Sequence, residues 1–205
     1  MSDYWLKYNQ TLAQAMNDVQ VQNGAGETIA MDAALASLCQ LARQVHAARG
    51  TMHFAGNGAS ACMASHMALD WVKNAGVRAL AYNDLAFLTA IGNDLGYDQT
   101  FAQPVSWFAD PGDLLVTISS SGNSPNILKA IAAARLKGIP VVTFSGLKAN
   151  NASRQAGDLN LFVPGWTYGL IECAHQILLH AWLDAFMDVK GWELASPQVL
   201  TPPVR

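Results

Sequence analysis

The sequence predicts an α/β fold in which helices cover both faces of a parallel β-sheet. From residue 51 onward, short apolar segments alternate with longer segments that have helical periodicity. The short segments are apolar throughout, which is typical of strands buried on both faces. Ligands of such sheets bind at the carboxyl ends of the strands. The polar turns that follow strands are therefore the candidate sites.

Two helices are predicted before the first strand. Residues 3–22 carry apolar side chains at roughly helical spacing, and residues 23–26, which contain two glycines, end this helix. A second helix is predicted at residues 28–48. Because both helices precede every strand signal, we expect residues 1–50 to form a helical arm that packs on the domain and at an oligomer interface.

Five strands and five further helices are predicted after this arm. The strands fall at residues 52–55, 78–82, 113–118, 140–144 and 159–163. The helices fall at residues 61–74, 85–91, 99–108, 125–136 and 170–187. The tail, residues 196–205, holds three prolines and is predicted to be irregular.

Composition limits the classes of function. Of the 205 residues, 51% are hydrophobic and 13% are charged, so we expect part of the apolar surface to be buried between subunits. A net charge of −3 argues against a broad nucleic-acid-binding surface. Three scattered cysteines, no signal-peptide pattern and no apolar run of about 18 residues predict a cytoplasmic protein without a membrane span.

The most informative segment is a serine-rich turn at residues 119–124, between a predicted strand and a predicted helix. Its hydroxyls belong to Ser119, Ser120, Ser121 and Ser124. A helix N-terminus presents free backbone N–H groups and the positive end of the helix dipole, and hydroxyls add donors without bulk. This combination suits a phosphate monoester. Taken alone, an ordinary strand–helix turn with serine capping explains the segment equally well.

A second polar turn, the GNGAS sequence at residues 56–60, follows the first predicted strand. With Ala61 it loosely fits the GxGxxA dinucleotide pattern, for which Asp84 could contact the ribose. A dinucleotide site would leave the serine-rich turn without a role, and no GK[ST] follows to make a P-loop. Two such turns in one parallel sheet favour a phosphate site.

Two helices carry ionisable side chains at suggestive spacing. His66 and Asp70 lie one turn apart, so they could ligate a metal, share a proton or simply form a hydrogen bond. Glu172, His175 and His180 interrupt an otherwise apolar helix. A rise of about 12 Å separates Glu172 from His180, so one metal would reach both only if the side chains converge or another subunit contributes. His175 points away from His180 and is interpreted as structural or as a support to the site.

Together these motifs resemble those of the sugar isomerase (SIS) domain family, and in particular its phosphoheptose isomerase branch. The likeness covers nearly the whole chain and includes the GNGAS turn, the GND segment at residues 92–94 and the GDLLVTISSSGNSPN block at residues 112–126. The resemblance implies a three-layer α/β/α sandwich with a five-stranded parallel sheet, here an SIS domain at residues 51–195. It also implies a homotetramer with active sites between subunits.

The resemblance further implies roles for individual residues. Those expected to bind the phosphorylated sugar are Asn57, Gly58, Ser60, Asp94, Ser119, Ser120, Ser121 and Ser124. Those expected to hold one divalent metal, with zinc as the first choice, are His66, Asp70, Glu172 and His180. Asp70 and His180 would be the catalytic proton-transfer pair. Two positions depart from the branch, which has glutamate in place of Asp70 and glutamine in place of Glu172.

The function expected from these residues is aldose–ketose isomerisation of a sugar phosphate, with sedoheptulose 7-phosphate and a heptose 7-phosphate as the pair. Proton transfer through an enediol would be assisted by the metal. The alternative is a non-catalytic tetramer that binds the replication initiator protein or senses a sugar phosphate. Asp70, Glu172 and His180 together favour the enzyme. The expected partners are a phosphorylated sugar and further copies of this chain, without nucleic acid or membrane.

Overall fold

Seven strands form a single β-sheet in the computed structural model, which describes residues 2–190. They are β1 (Gln20–Asn23), β2 (Thr28–Ile29), β3 (Met52–Gly56), β4 (Ala79–Ala81), β5 (Leu114–Ser119), β6 (Val141–Ser145) and β7 (Leu159–Phe162). Their order across the sheet is β2-β1-β7-β6-β5-β3-β4. The five strands from β3 to β7 run parallel, whereas β1 pairs antiparallel with both β2 and β7.

Seven α-helices accompany this sheet. They are α1 (Tyr4–Asn17), α2 (Met31–Ala47), α3 (Ala59–Ala75), α4 (Leu85–Asp94), α5 (Ala102–Phe108), α6 (Pro125–Lys137) and α7 (Tyr168–Phe186). Short 3-10 helices at Tyr97–Gln99 and Ser153–Gln155 lie between them. Within residues 2–190, none of these helices combines the length and hydropathy that a membrane crossing requires.

Two hydrophobic clusters, one on each face of the sheet, form the core. The first packs α2, α3 and α7 against the sheet and includes Trp182, and the second packs α5 and α6 and includes Ile127. Along β5, Leu114 and Val116 join the first cluster while Leu115 joins the second, because successive strand side chains point to opposite faces. The predicted three-layer α/β/α arrangement is thereby confirmed.

The strand count was wrong, because the sheet has seven strands and not five. The two additional strands form a hairpin in the region predicted as the end of the first helix and the start of the second. Helix α1 ends at Asn17, and Val21 in β1 then pairs with Leu161 in β7. The Asn23 side chain accepts hydrogen bonds from the N–H groups of Ala25 and Glu27 and so stabilises the turn. An edge provided by β7, far away in sequence, is what makes this segment a strand.

The first 50 residues are joined to the rest of the chain in two ways. Helices α1 and α2 pack against α7, and β1 extends the sheet beyond β7. The domain boundary at residue 50 and the place of this arm at an oligomer interface stay predictions. The predicted irregular tail, residues 196–205, lies outside the described residues, as does the end of the predicted domain from residue 191.

His175 is a fully buried titratable group on α7. Its Nε2–H donates a hydrogen bond to the Ser145 carbonyl (3.1 Å), and its Nδ1 has no partner among residues 2–190. Burial lowers the pKa of His175 from 6.5 to about 4, because a charged imidazolium would lose its hydration, although the Ser145 carbonyl opposes the shift. This histidine is therefore neutral in the folded chain at ordinary pH.

We expect acid to destabilise the fold through His175. Between pH 6.5 and about 4 the unfolded chain binds a proton at this residue and the folded chain does not. The free energy of unfolding should therefore rise with pH across that window, by up to about 3 kcal/mol, and level off above it. Urea unfolding of the His175→Gln variant at several pH values should show a weaker slope. The exposed-residue control His46→Gln should keep the slope, and an unchanged slope in His175→Gln would contradict the assignment.

Candidate active site

A cavity of about 190 Å³ lies at the carboxyl ends of β3 and β5. Its wall combines the two polar turns with the start of α7 and consists of Asn57, Ser60, Ile118, Ser119, Ser120, Ser121, Ser124, Tyr168 and Glu172. We call it the serine cavity. Gly56 at the end of β3 pairs with Ile118 near the end of β5, so the turns that follow these strands are neighbours. The two turns predicted to bind phosphate thus form one site.

The oxygens of Ser119 and Ser121 accept hydrogen bonds from backbone N–H groups within the serine-rich turn, whereas their hydroxyl hydrogens can still donate. Ser124 is the N-cap residue of α6, but its side chain makes no capping hydrogen bond. The Ser120 hydroxyl is buried and has no partner among the described residues. Since buried polar groups are nearly always hydrogen-bonded, this unpartnered hydroxyl beside the cavity is a candidate donor to a ligand. This observation disfavours the simpler interpretation of the turn as a serine-capped helix start.

The GNGAS turn is tight because the first turn of α3 folds back over the end of β3. A Cβ atom at Gly56 would lie 2.6 Å from the Ser60 carbonyl oxygen, so only glycine fits there. This close approach places Asn57 and Ser60 on the cavity wall. Gly58 and Asp94 are exposed and do not line the cavity, and the Asp94 carboxylate accepts a hydrogen bond from the neighbouring Asn93. Their roles in binding stay predictions.

A second group of predicted site residues lies where α3 packs against α7. His66, Asp70 and His180 each have a potential ligand atom within 4.8 Å of the others. Nε2 of His66 lies 3.3 Å from Oδ2 of Asp70, and the rings of His66 and His180 are 5.2 Å apart. We call these three residues the His/Asp cluster. Two imidazoles and one carboxylate form a donor set that suits a catalytic zinc ion, which keeps a fourth position open.

Glu172, the fourth predicted metal ligand, is not part of the His/Asp cluster. It lies two turns before His180 on α7 and lines the serine cavity instead. The rise of about 12 Å along the helix that made a shared metal difficult from sequence explains this separation. Its role as a metal ligand stays a prediction.

The serine cavity and the His/Asp cluster lie along the same two helices. On α3, Ser60 and His66 are six residues apart, which corresponds to about 9 Å of rise. On α7, Glu172 of the cavity and His180 of the cluster are eight residues apart, which corresponds to about 12 Å of rise. The cavity and the cluster are therefore about two helical turns apart along both helices.

Two residues near the site were missed by the sequence reasoning. Tyr168, the first residue of α7, lines the serine cavity with 59% of its surface exposed. Thr167 caps this helix, since its hydroxyl oxygen accepts from the N–H of Leu170, and that cap was the available signal. Asn126 does not line the cavity but forms hydrogen bonds with Asn57, which does.

Comparison with known proteins agrees with this geometry. A family model described as the SIS domain matches residues 11–146. The chain belongs to the SIS domain family. A phosphoheptose isomerase of Thiobacillus denitrificans is 38% identical to this chain over 138 residues, which cover 63% of the chain and 70% of the relative.

Solved structures extend the likeness to nearly the whole chain. The phosphoheptose isomerase of Neisseria gonorrhoeae is 28% identical with a TM-score of 0.77, and the match covers 90% of this chain and 96% of that one. A phosphoheptose isomerase from Francisella tularensis is 26% identical with a TM-score of 0.79, and covers 92% and 99%. The resemblance to the phosphoheptose isomerase branch, first inferred from the motifs, is confirmed.

Proposed function

We propose that this SIS domain is an aldose–ketose isomerase that interconverts sedoheptulose 7-phosphate and a heptose 7-phosphate. The observation that carries the proposal is the serine cavity, with its unpartnered Ser120 hydroxyl, on the same two helices as the His/Asp cluster. The first element suits a phosphate group, and the second suits proton transfer at the other end of the sugar. The names of the relatives at 38% and 28% identity support the same reaction.

The phosphate end would be bound by neutral donors. In the part of the chain that the structure describes, the cavity wall has no lysine or arginine, so affinity depends on hydroxyl groups, Asn57 and the N-terminus of α6. The Glu172 carboxylate offers acceptors for sugar hydroxyl groups. Binding the phosphate fixes the far end of the substrate and thereby orients the reacting carbons.

The reacting end would lie at the His/Asp cluster. A base there removes the proton from the carbon next to the carbonyl, and an acid returns a proton to the neighbouring carbon after an enediolate has formed. We propose Asp70 and His180 as this pair. A divalent cation, for which we propose zinc held by His66, Asp70 and His180 with Glu172 as a further candidate, would polarise the substrate oxygens. Asp70 is one methylene shorter than the glutamate of the branch, so the substrate must approach α3 more closely.

We also propose that the chain forms a homotetramer and acts in the cytoplasm. Several large apolar side chains of the described residues are exposed, and they include Tyr4, Trp5, Leu6, Trp166 and Tyr168. Burying such residues between subunits would stabilise an oligomer and close the cavity from solvent. Sedimentation equilibrium tests this directly, and a monomer at micromolar concentration would contradict it.

The isomerase assignment is tested by incubating the metal-loaded protein with sedoheptulose 7-phosphate and with hexulose and pentulose phosphates. Chromatographic separation of the isomers should show conversion of the heptulose phosphate in preference to the shorter sugars. If no sugar phosphate is converted, a non-catalytic binding protein becomes the better explanation.

Metal content gives an independent prediction. We expect elemental analysis to find about one divalent ion per chain, and His66→Ala to lower the affinity for zinc at least about tenfold, because one of three clustered ligands is lost. The control His46→Ala changes an exposed histidine on α2 and should retain the metal. Equal zinc affinity in the two variants would refute the proposed ligand set.

A further inference from the structure

We propose that Asn126 is a positioning residue that determines which atoms of the Asn57 amide face the substrate. The proposal rests on the isomerase function above and adds a residue that the substrate does not contact. Asn126 is the second residue of α6 and only 2% exposed. It connects the two turns that form the serine cavity.

Asn57 and Asn126 form a reciprocal amide pair. Nδ2 of Asn57 donates to Oδ1 of Asn126 (2.9 Å), and Nδ2 of Asn126 donates to Oδ1 of Asn57 (2.8 Å). Such a pair can exist in two orientations that exchange the oxygen and nitrogen atoms of both amides. Neighbouring groups must therefore decide which orientation is present.

Backbone groups fix the orientation of Asn126. The N–H of Ile127, which can only donate, approaches Oδ1 of Asn126 (3.0 Å). On the other side, Nδ2 of Asn126 donates to the Thr100 hydroxyl (3.2 Å), which itself donates to the Tyr97 carbonyl (2.9 Å). Because the Tyr97 carbonyl can only accept, every group in this chain of hydrogen bonds has a fixed role as donor or acceptor. Turning the Asn126 amide over would lose hydrogen bonds at both ends.

The orientation of Asn126 in turn fixes that of Asn57. Oδ1 of Asn57 accepts from Asn126 and also from the Tyr97 hydroxyl (3.1 Å), so both of its lone pairs are used. Nδ2 of Asn57 uses one hydrogen for Asn126, and its second hydrogen has no partner in residues 2–190. Because Asn57 lines the serine cavity, this free N–H is available to a phosphate or sugar oxygen. The opposite orientation would present a carbonyl lone pair to an anion.

The test compares two buried asparagines. In Asn126→Ser, the KM for sedoheptulose 7-phosphate and the Kd for inorganic phosphate should each rise about tenfold, while kcat stays within about threefold. Asn160→Ser is the matched control, because Asn160 is 1% exposed, lies on β7 and accepts from the Thr143 hydroxyl away from the cavity. It should lower stability without changing KM. An unchanged KM in a folded Asn126→Ser variant would overturn the proposal.

Two further measurements separate positioning from a general structural effect. In an Asn57→Ala background, Asn126→Ser should cause no further rise in KM, since its effect passes through Asn57. Thr100→Val keeps the side-chain shape and does not touch the cavity, yet it removes the acceptor that orients Asn126. It should raise KM about threefold. If Asn126→Ser does not fold, Thr100→Val still tests the positioning role of Asn126. An unchanged KM in the Thr100→Val variant would contradict the proposal.

A wrong functional proposal would give a different experimental result from a wrong role for Asn126. The unsubstituted chain would then convert no sugar phosphate, whereas the Kd values for inorganic phosphate would still test the role of Asn126. An unsubstituted chain that neither converts sugar phosphates nor binds inorganic phosphate would contradict both.

Discussion

Replacing Asp70 with alanine is expected to lower kcat for isomerisation by about a thousandfold or more and to leave the Kd for inorganic phosphate nearly unchanged. Asp70 belongs to the His/Asp cluster, where its Oδ2 lies 3.3 Å from Nε2 of His66. It does not line the serine cavity. Loss of its carboxylate should therefore remove proton transfer and weaken metal binding without disturbing the groups that hold the phosphate.

Three variants make the Asp70 experiment specific. Asp70→Asn keeps the shape and removes the charge, so it should be as inactive as Asp70→Ala. Asp70→Glu places the carboxylate of the branch at this position and should recover activity to within about tenfold of the unsubstituted chain. Asp32→Ala changes an exposed carboxylate on α2 and should be neutral. Parallel loss of turnover and phosphate binding in Asp70→Ala would argue against the assigned role.

Gly122→Ala should have the largest effect of any small substitution in the serine-rich turn. Gly122 has φ of +63°, and a Cβ there would lie 2.0 Å from Oδ1 of Asn151. Asn151 cannot move aside easily, because it donates to the Lys148 carbonyl (2.8 Å) and accepts from the N–H of Arg154 (2.9 Å). The Gly122 carbonyl also accepts from Ser153 (2.8 Å). We expect destabilisation of about 3 kcal/mol or more and loss of phosphate binding.

Gly138→Ala is the matched control for Gly122→Ala. Gly138 follows α6 with φ of +69°, but a Cβ there would meet nothing within 4 Å. This variant should therefore show only the cost of the backbone conformation, about 1 kcal/mol, with unchanged phosphate affinity. Urea unfolding and calorimetric titration with phosphate measure both quantities. Similar losses in the two variants would show that contact with Asn151 is not what makes Gly122 necessary.

Much of the fold could be predicted because the apolar side chains that become buried recur in the sequence at the spacing of a helix or a strand. The apolar strands β3, β5 and β6, and the helices α3 and α6 that follow β3 and β5, lie where the pattern predicted them, because their local sequences carry the apolar side chains that become buried. The hairpin β1–β2 was missed because its local sequence does not determine its conformation. Its segment is short, and its strand conformation depends on pairing with β7, about 140 residues further along the chain.

In the site, too, some features follow from the local sequence, whereas others depend on contacts between segments that are far apart along the chain. The pairing of His66 with Asp70 follows from their spacing on one helix, and the two turns proposed to bind phosphate follow from glycine and serine next to strand ends. The addition of His180 to that pair, and the separation of Glu172 from it, follow only from how α3 packs against α7.

The sequence by itself determined the α/β class and the family motifs, and it predicted the chemical character of the site, namely hydroxyl groups for a phosphate and imidazoles with a carboxylate for proton transfer. Only the tertiary structure decided that the sheet has seven strands, that Glu172 lines the serine cavity, and that the side chains of Asn57 and Asn126 exchange hydrogen bonds. The physical reason is distance along the chain. Backbone conformation and helical spacing are local properties, whereas contacts between Asn57 and Asn126 or between α3 and α7 exist only once the layers have packed.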